Sequence, residues 1–201
     1  MFLNNTPLEV IRRRYKLIIF VGILVAMLSL IVSLFFPREY RADAQVLIIS
    51  KSRYGVDPYT VVKSAERIGE NLVQIVKTDD FYKKVLEQPG FDLDKTKFEK
   101  LTERKKRKEW QEAVKTSVVY GTGVLNISAY HIDPAQAKEY AGATASAMAS
   151  QGWQYVGGDV TIKVVNEPVV TRFPARPNLF TNMILGFLVG GLLMGFVVVK
   201  K

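Results

Sequence analysis

The chain has 201 residues, with 28 Lys and Arg against 19 Asp and Glu, a net charge of +9, one His and no Cys. The missing cysteine excludes disulfides, thiolate zinc sites and a cysteine nucleophile, and a single His leaves little for imidazole metal sites. Any catalysis would fall to carboxylates and hydroxyls.

In chain order, residues 1–16 form a basic tail that ends in Arg12, Arg13, Arg14 and Lys16. Residues 17–36 then run without a charge, and as a helix they would cover about 30 Å, the thickness of a bilayer core. Basic residues beside a span stay on the cytoplasmic side, so this cluster predicts a cytoplasmic N-terminus and an outward exit. The alternative is a cleaved secretory signal, with Ala42-Asp43-Ala44 as a small-x-small site. The apolar run is long for a signal, and that site lies beyond Pro37, Arg38, Glu39 and Arg41, so retention is expected.

Residues 41–50 alternate, with Ala42, Ala44, Val46 and Ile48 on one face, and predict a first strand. From Pro58 the spacing changes to three and four: Val62, Ala65, Gly69, Leu72 and Val76 mark an amphipathic helix, with Asp57 as its cap. A short helix follows over residues 79–88, ended by Pro89-Gly90. Residues 98–113 are densely charged and read as an exposed helix. Its Arg104, Lys105, Lys106, Arg107 and Lys108 could contact an anionic glycan or lipid headgroups, or could simply form a solvated face neutralised by nearby Glu residues.

Residues 114–120 and 124–130 predict two strands about the turn Gly121-Thr122-Gly123, with Leu125, Ile127 and Ala129 inward. Asp133-Pro134 opens a helix reaching about Tyr155, as cap and first-turn residue. Its stripe Ala137, Ala141, Ala145 and Ala149 suits packing on the sheet or an oligomer contact. Gly157-Gly158 releases the chain into a last strand, residues 160–165. The order β-α-β-β-α-β with a charged helix inserted is that of a ferredoxin-like domain, expected over residues 37–167 between the two spans. The predicted class is therefore a membrane α+β protein.

Residues 168–178 hold Pro168, Pro174 and Pro177, which should not continue a sheet and predict a semi-rigid strut. A second apolar stretch spans residues 179–199, and Lys200 and Lys201 return the chain to the cytoplasm. Within it, Gly186 with Gly190 and Gly191 with Gly195 are small-residue pairs that would let another helix approach closely.

Candidate catalytic groups are few. Asp79 and Asp80 are adjacent and point to different sides of a helix, as suits its first turn. His131 near Asp133 has no second imidazole or thiolate to share a zinc ion, so a turn role is expected. Tyr120, Tyr130, Trp153 and Tyr155 could stack on sugar rings or could be core. The chain is therefore expected to be a non-enzyme without cofactor.

This ordered layout resembles a known family. Its basic tail, its first span closing on Phe36-Pro37, Tyr40-Arg-Ala opening a strand, Lys77-Thr-Asp-Asp-Phe81, the strand Leu125-Asn-Ile-Ser-Ala129, Asp133-Pro-Ala-Gln-Ala137 and the prolines before a Gly-rich span are similar to those of polysaccharide co-polymerases, the chain-length-determinant (Wzz) family. The resemblance implies a two-pass inner-membrane protein with an extracytoplasmic domain. It implies a ring of identical subunits that sets the length of a surface glycan beside a glycan polymerase, without nucleic-acid contact. The short interval between the first helices and the hairpin is closer to the capsule and exopolysaccharide branch, whose members often couple to a cytoplasmic tyrosine kinase. No G-x-x-x-x-G-K-[ST] loop occurs, so a kinase would be a separate protein.

Overall fold

A computed structural model describes residues 7–50, 57–157 and 160–200. The chain forms two compact units, one from its two ends, up to Arg38 and from Ala175, and one from Glu39–Pro174. Gly158 and Lys201 lie outside the described residues.

In the first unit, α1 (Pro7–Arg13) leads through Arg14 into α2 (Tyr15–Leu34). The second unit begins with β1 (Tyr40–Ser50), followed by α3 (Pro58–Ile75), α4 (Asp79–Leu86), α5 (Thr96–Glu99) and α6 (Glu103–Ala113). Then come β2 (Val114–Val118), β3 (Val124–His131), α7 (Pro134–Gln151), α8 (Trp153–Val156) and β4 (Val160–Val170). The first unit closes with α9 (Leu179–Lys200). Helices α2 and α9 are both long and apolar enough to cross a membrane, and an α/β sheet domain lies between them in sequence.

The four strands lie in the order β2-β3-β1-β4, and each neighbouring pair is antiparallel. Consequently β1 and β2 run the same way with β3 between them, and β3 and β4 run the same way with β1 between them. Tyr40 pairs with His131 and Ala42 with Val170, so the start of β1 and the end of β4 share one end of the sheet. Both chain connections to the spanning helices therefore leave from that end.

The alternation in β1 sorts its faces as expected: Ala42, Ala44, Val46 and Ile48 are buried, together with Leu125, Ile127 and Ala129 of β3. Helix α7 covers this face. Ala137, Ala141 and Ala145 have almost no exposed surface, and α7 packs against β1, β3 and β4. Small side chains let the helix axis come close to the sheet, so the alanine stripe belongs to the domain's own core. Asp133 accepts from Ala135 N at 2.8 Å and caps this helix, and Asp57 accepts from Thr60 N at 3.3 Å on α3. Both caps satisfy amide groups that have no partner within their helix. On α3, Ala65, Gly69 and Leu72 are buried, but Val62 is 40% exposed and does not continue the predicted stripe.

The hairpin between β2 and β3 needs glycine twice. Gly121 has φ of 73°, and a Cβ on Gly123 would sit 2.4 Å from the Ile48 carbonyl oxygen. Strand β2 stops at Val118, two residues before the expected end, as the chain bends into this turn.

Two expectations are corrected. The charged segment over residues 98–113 is not one exposed helix. It is divided into α5 and α6, and Trp110 within α6 is 1% exposed. The Trp110 indole donates to the Val76 carbonyl at 2.6 Å, and its ring packs 5.1 Å from Tyr82 and 6.5 Å from Tyr140. With Phe98 against Tyr82 at 5.3 Å, these rings join α4, α5, α6 and α7 in an aromatic core. One tryptophan thus outweighs the surrounding charges, because burying an aromatic ring gains far more than surface ion pairs do.

The second correction concerns Pro168. It does not begin a strut but lies inside β4, which continues to Val170. Strand β4 is an edge strand, paired only with β1, and its register slips between Asp43 and Gln45 and again between Gln45 and Val46. A proline, which has no amide hydrogen, is accommodated at an edge and at a bulge. The chain then pairs once more beyond the strand, where Thr171 N donates to Arg41 O at 2.8 Å. Pro174 and Pro177 lie beyond the end of β4.

Candidate functional site

The basic run on α6 is the most concentrated charge in the sheet domain. Arg107 forms a two-point ion pair with Asp79 at the start of α4, its Nε donating to Oδ1 at 3.0 Å. Lys106 donates to Glu103 at 3.0 Å, and Lys108 lies 3.8 Å from Glu112. Arg104 and Lys105 are exposed. Three of the five cations are thus engaged by neighbouring carboxylates, as in a solvated helix face, and Arg107 has a specific structural task in joining α6 to α4.

The acidic pair is placed accordingly. Thr78 caps α4 by accepting from Phe81 N at 3.3 Å, and both aspartates lie in the first turn, where the positive end of the helix favours them. Asp79 is held below the usual carboxylate range by the Arg107 guanidinium. Asp80 is held down by the hydrogen bond from the Tyr155 hydroxyl and then by Lys84. The Lys84 ammonium sits 4.3 Å over the Tyr155 ring, with its charge favoured chiefly by Tyr155. Asp79 and Asp80 are bound to different partners and do not converge on one point.

His131 accepts from Asp133 N at 3.0 Å through Nδ1 and stacks on Tyr140 at 6.1 Å, so it shapes the turn before α7. Burial pushes Tyr82 up to about 12 and raises Tyr140 as well. Neither is poised as a base near neutrality. Among the described residues, no group of three or more His, Asp or Glu side chains could hold a metal ion. The four aromatic candidates separate: Tyr120 is 79% and Trp153 49% exposed, whereas Tyr155 packs 6.2 Å from Phe81. Tyr130 is half-buried on β3.

Helices α2 and α9 pack together in antiparallel sense. A Cβ on Gly186 would approach Ser29 Cβ to 2.8 Å, and one on Gly190 would approach Val25 Cβ to 2.7 Å. The partner surface on α2 is also small: Gly22, Ala26 and Ser33 are its buried residues. This face of α2 carries Gly22, Ala26, Ser29 and Ser33 at helical spacing, a small-residue signal that lay outside the predicted glycine pairs of α9. The second glycine pair is placed differently. A Cβ on Gly191 would come only within 3.9 Å of Ile18, and one on Gly195 would meet nothing within 4 Å. Gly186 and Gly190 therefore form the seam, and Gly191 and Gly195 flank it.

At one end of the seam, Ser29 Oγ donates to the Asn182 carbonyl at 2.9 Å. Ser33 Oγ donates to the Ser29 carbonyl at 2.8 Å, and Asn182 Nδ2 donates to Ser33 Oγ at 2.9 Å. At the other end stand the charges. Arg12 and Arg13 close α1, Arg14 precedes α2, Lys16 is in the first turn of α2, and Lys200 ends α9. Since α2 and α9 are antiparallel, the two basic groups lie at the same end of the helix pair.

Comparison with known proteins adds to this arrangement. No curated protein matches the chain. Residues 8–88 match the family model Wzz, chain length determinant protein, a stretch that takes in α2, β1, α3 and α4. The matched region includes α2 and the first part of the sheet domain, and over these residues the chain is similar to the Wzz chain length determinant proteins.

Proposed function

We propose that the protein is a non-enzymatic, homo-oligomeric co-polymerase of the inner membrane that regulates the chain length and export of a surface polysaccharide, an O-antigen, capsule or exopolysaccharide, beside a glycan polymerase. The observation that carries this reading is the Wzz match across α2 and the first part of the adjoining sheet domain. The basic groups at one end of the helix pair support an orientation with both termini cytoplasmic and the sheet domain outside.

The antiparallel strand order β2-β3-β1-β4, with α3 and α7 as crossovers, supports a ferredoxin-like domain in which α5 and α6 are the insertion. A ring of such domains would hold a growing glycan by many weak contacts, where avidity multiplies a modest affinity for each subunit. The compact sheet domain is in keeping with the capsule and exopolysaccharide branch. Membrane lipids are the remaining partners, met by the faces of α2 and α9 that are turned away from the seam.

The test is the size distribution of the surface polysaccharide, resolved by gel, in cells with and without the gene. A defined modal length that becomes broad or short on deletion and returns with the gene supports the proposal. An unchanged distribution overturns it. If tyrosine phosphorylation changes instead, the protein is the membrane adaptor of a separate cytoplasmic kinase.

A further inference from the structure

The basic run of the sheet domain is largely engaged by neighbouring carboxylates, but the basic end of the helix pair is not. Glu9 is the only acidic side chain in residues 1–38 and 175–201, the segments that form the first unit. Against it stand Arg12, Arg13, Arg14, Lys16 and Lys200, all exposed. Among the described residues none of these five is ion-paired.

Packing brings the five cations to one level. Gly186 faces Ser29 and Gly190 faces Val25, so a step along α9 is matched by an equal step back along α2. The 10 residues from Gly190 to Lys200 therefore correspond to the 10 from Val25 back to Tyr15, and Lys200 arrives level with Arg14 and Lys16. Helix α9 packs against both α1 and α2, and Val198 in its last turn is 2% exposed, which holds this end of α9 in place.

We infer that this collar of five cations is a binding surface for anionic phospholipid headgroups and selects them over zwitterionic ones. The inference rests on α2 and α9 spanning a membrane and does not depend on the co-polymerase role. Depth identifies the occupant. The cations stand directly beside the ends of two apolar helices, each long enough to cover about 30 Å of hydrocarbon, so lipid phosphates are the groups that surround them. Tyr15, 50% exposed among these charges, has the amphipathic ring that favours this depth.

The directions of the charges agree with a headgroup layer. Arg12 and Arg13 are consecutive on a helix and point about 100° apart, which spreads charge around the pair. A single small anion needs cations that converge, whereas headgroups encircle the helices. Three of the five cations are arginines, whose planar guanidinium takes two phosphate oxygens at once. A zwitterionic headgroup has the same phosphate but adds an ammonium, which the collar repels.

The experiment uses the full chain reconstituted in phosphatidylcholine nanodiscs. Because the chain has no cysteine, Tyr15→Cys gives a single site for a bimane fluorophore within the collar. Phospholipid with a quenching nitroxide near the top of its acyl chain is added in small amounts, bearing either a phosphatidylglycerol or a phosphatidylcholine headgroup. The anionic probe should quench at a several-fold lower mole fraction than the zwitterionic one. Each basic residue near an anionic surface is worth about five-fold in affinity, so the triple variant Arg12→Gln, Arg13→Gln and Arg14→Gln in the same labelled chain should remove most of the preference. Molar salt should do the same by screening. Unchanged circular dichroism confirms that the triple variant has folded.

The inference is overturned if both headgroups quench alike, which would leave the cations to an acidic protein, or if the folded triple variant keeps the full preference. It is also overturned if inorganic phosphate abolishes the preference where chloride of equal ionic strength does not, since the collar would then hold a free anion. A chain that fails to enter bilayers would remove the spanning reading as well, whereas incorporation without headgroup preference removes this inference alone.

Discussion

Asn182 of α9 donates through its side chain to Ser33 of α2 at 2.9 Å, across a contact where Ser33 is 4% exposed. Each residue is polar within an apolar helix, and each satisfies the other. In hydrocarbon the alternative is an unpaired polar group, although measured values for such interhelical bonds are modest. Asn182→Leu should therefore weaken the pairing of α2 and α9 by about 0.5 to 1.5 kcal/mol. A reporter is available in the cysteine-free chain: Ile18→Cys with Gly191→Cys places two thiols across the seam, where Gly191 faces Ile18. Slower disulfide formation in the Asn182→Leu background is the expected result, and an unchanged rate would show that the clasp contributes nothing.

The glycines of α9 should separate under substitution. Gly190→Leu would drive a side chain into Val25 and the backbone of Gly22, where a bare Cβ already comes to 2.7 Å. Overpacking of this kind costs about 1 to 3 kcal/mol. Gly195→Leu meets open space and should leave the helix pair intact. The same cross-linking reporter measures both variants. Equal effects of the two would contradict the seam, while a shift in oligomer size confined to Gly195→Leu would place that glycine at a contact between subunits.

The ion pair between Asp79 and Arg107 gives a pH dependence of definite sign. The guanidinium lowers the Asp79 carboxyl in the folded chain from its ordinary value of 3.8. A depressed folded value means the contribution is complete above 3.8 and is lost as the pH falls through the lower, folded value. Asp80, held down by Tyr155, acts in the same direction and the same window. Asp80 is exposed and Asp79 partly so, and solvent screens both, so the effect is small. Urea unfolding of the sheet domain within the full chain, followed at pH 7 and through the acid range, should show a steeper loss below about pH 4 in the wild type than in Arg107→Gln. Parallel curves would show that the pair does not couple α4 to α6.

Much of this was readable along the chain because local pattern and local physics agree there. A charge-free run bounded by arginines can be satisfied only by a helix in an apolar medium, which needs no knowledge of the rest of the chain. The alternation of Ala42, Ala44, Val46 and Ile48 specifies a strand with one buried face, and Asp57 and Asp133 announce the helix starts that they cap. These elements and their places in the order were determined by the sequence in this sense.

Tertiary structure decided the rest, because it depends on partners distant in sequence. Trp110 stands among charges, and only the arrival of Val76, Tyr82 and Tyr140 makes its position a core. Pro168 can remain in a strand because β4 lies at the sheet's edge, and no local pattern reveals which strand is last in the row. The two glycine pairs of α9 read alike until α2 packs against one of them. Ser117, Asn126, Gln45 and Asn166, scattered over the chain, come into one row only through strand register. The sequence determined which segments must leave water, whereas only the packed fold determined which polar side chains would be left facing it together.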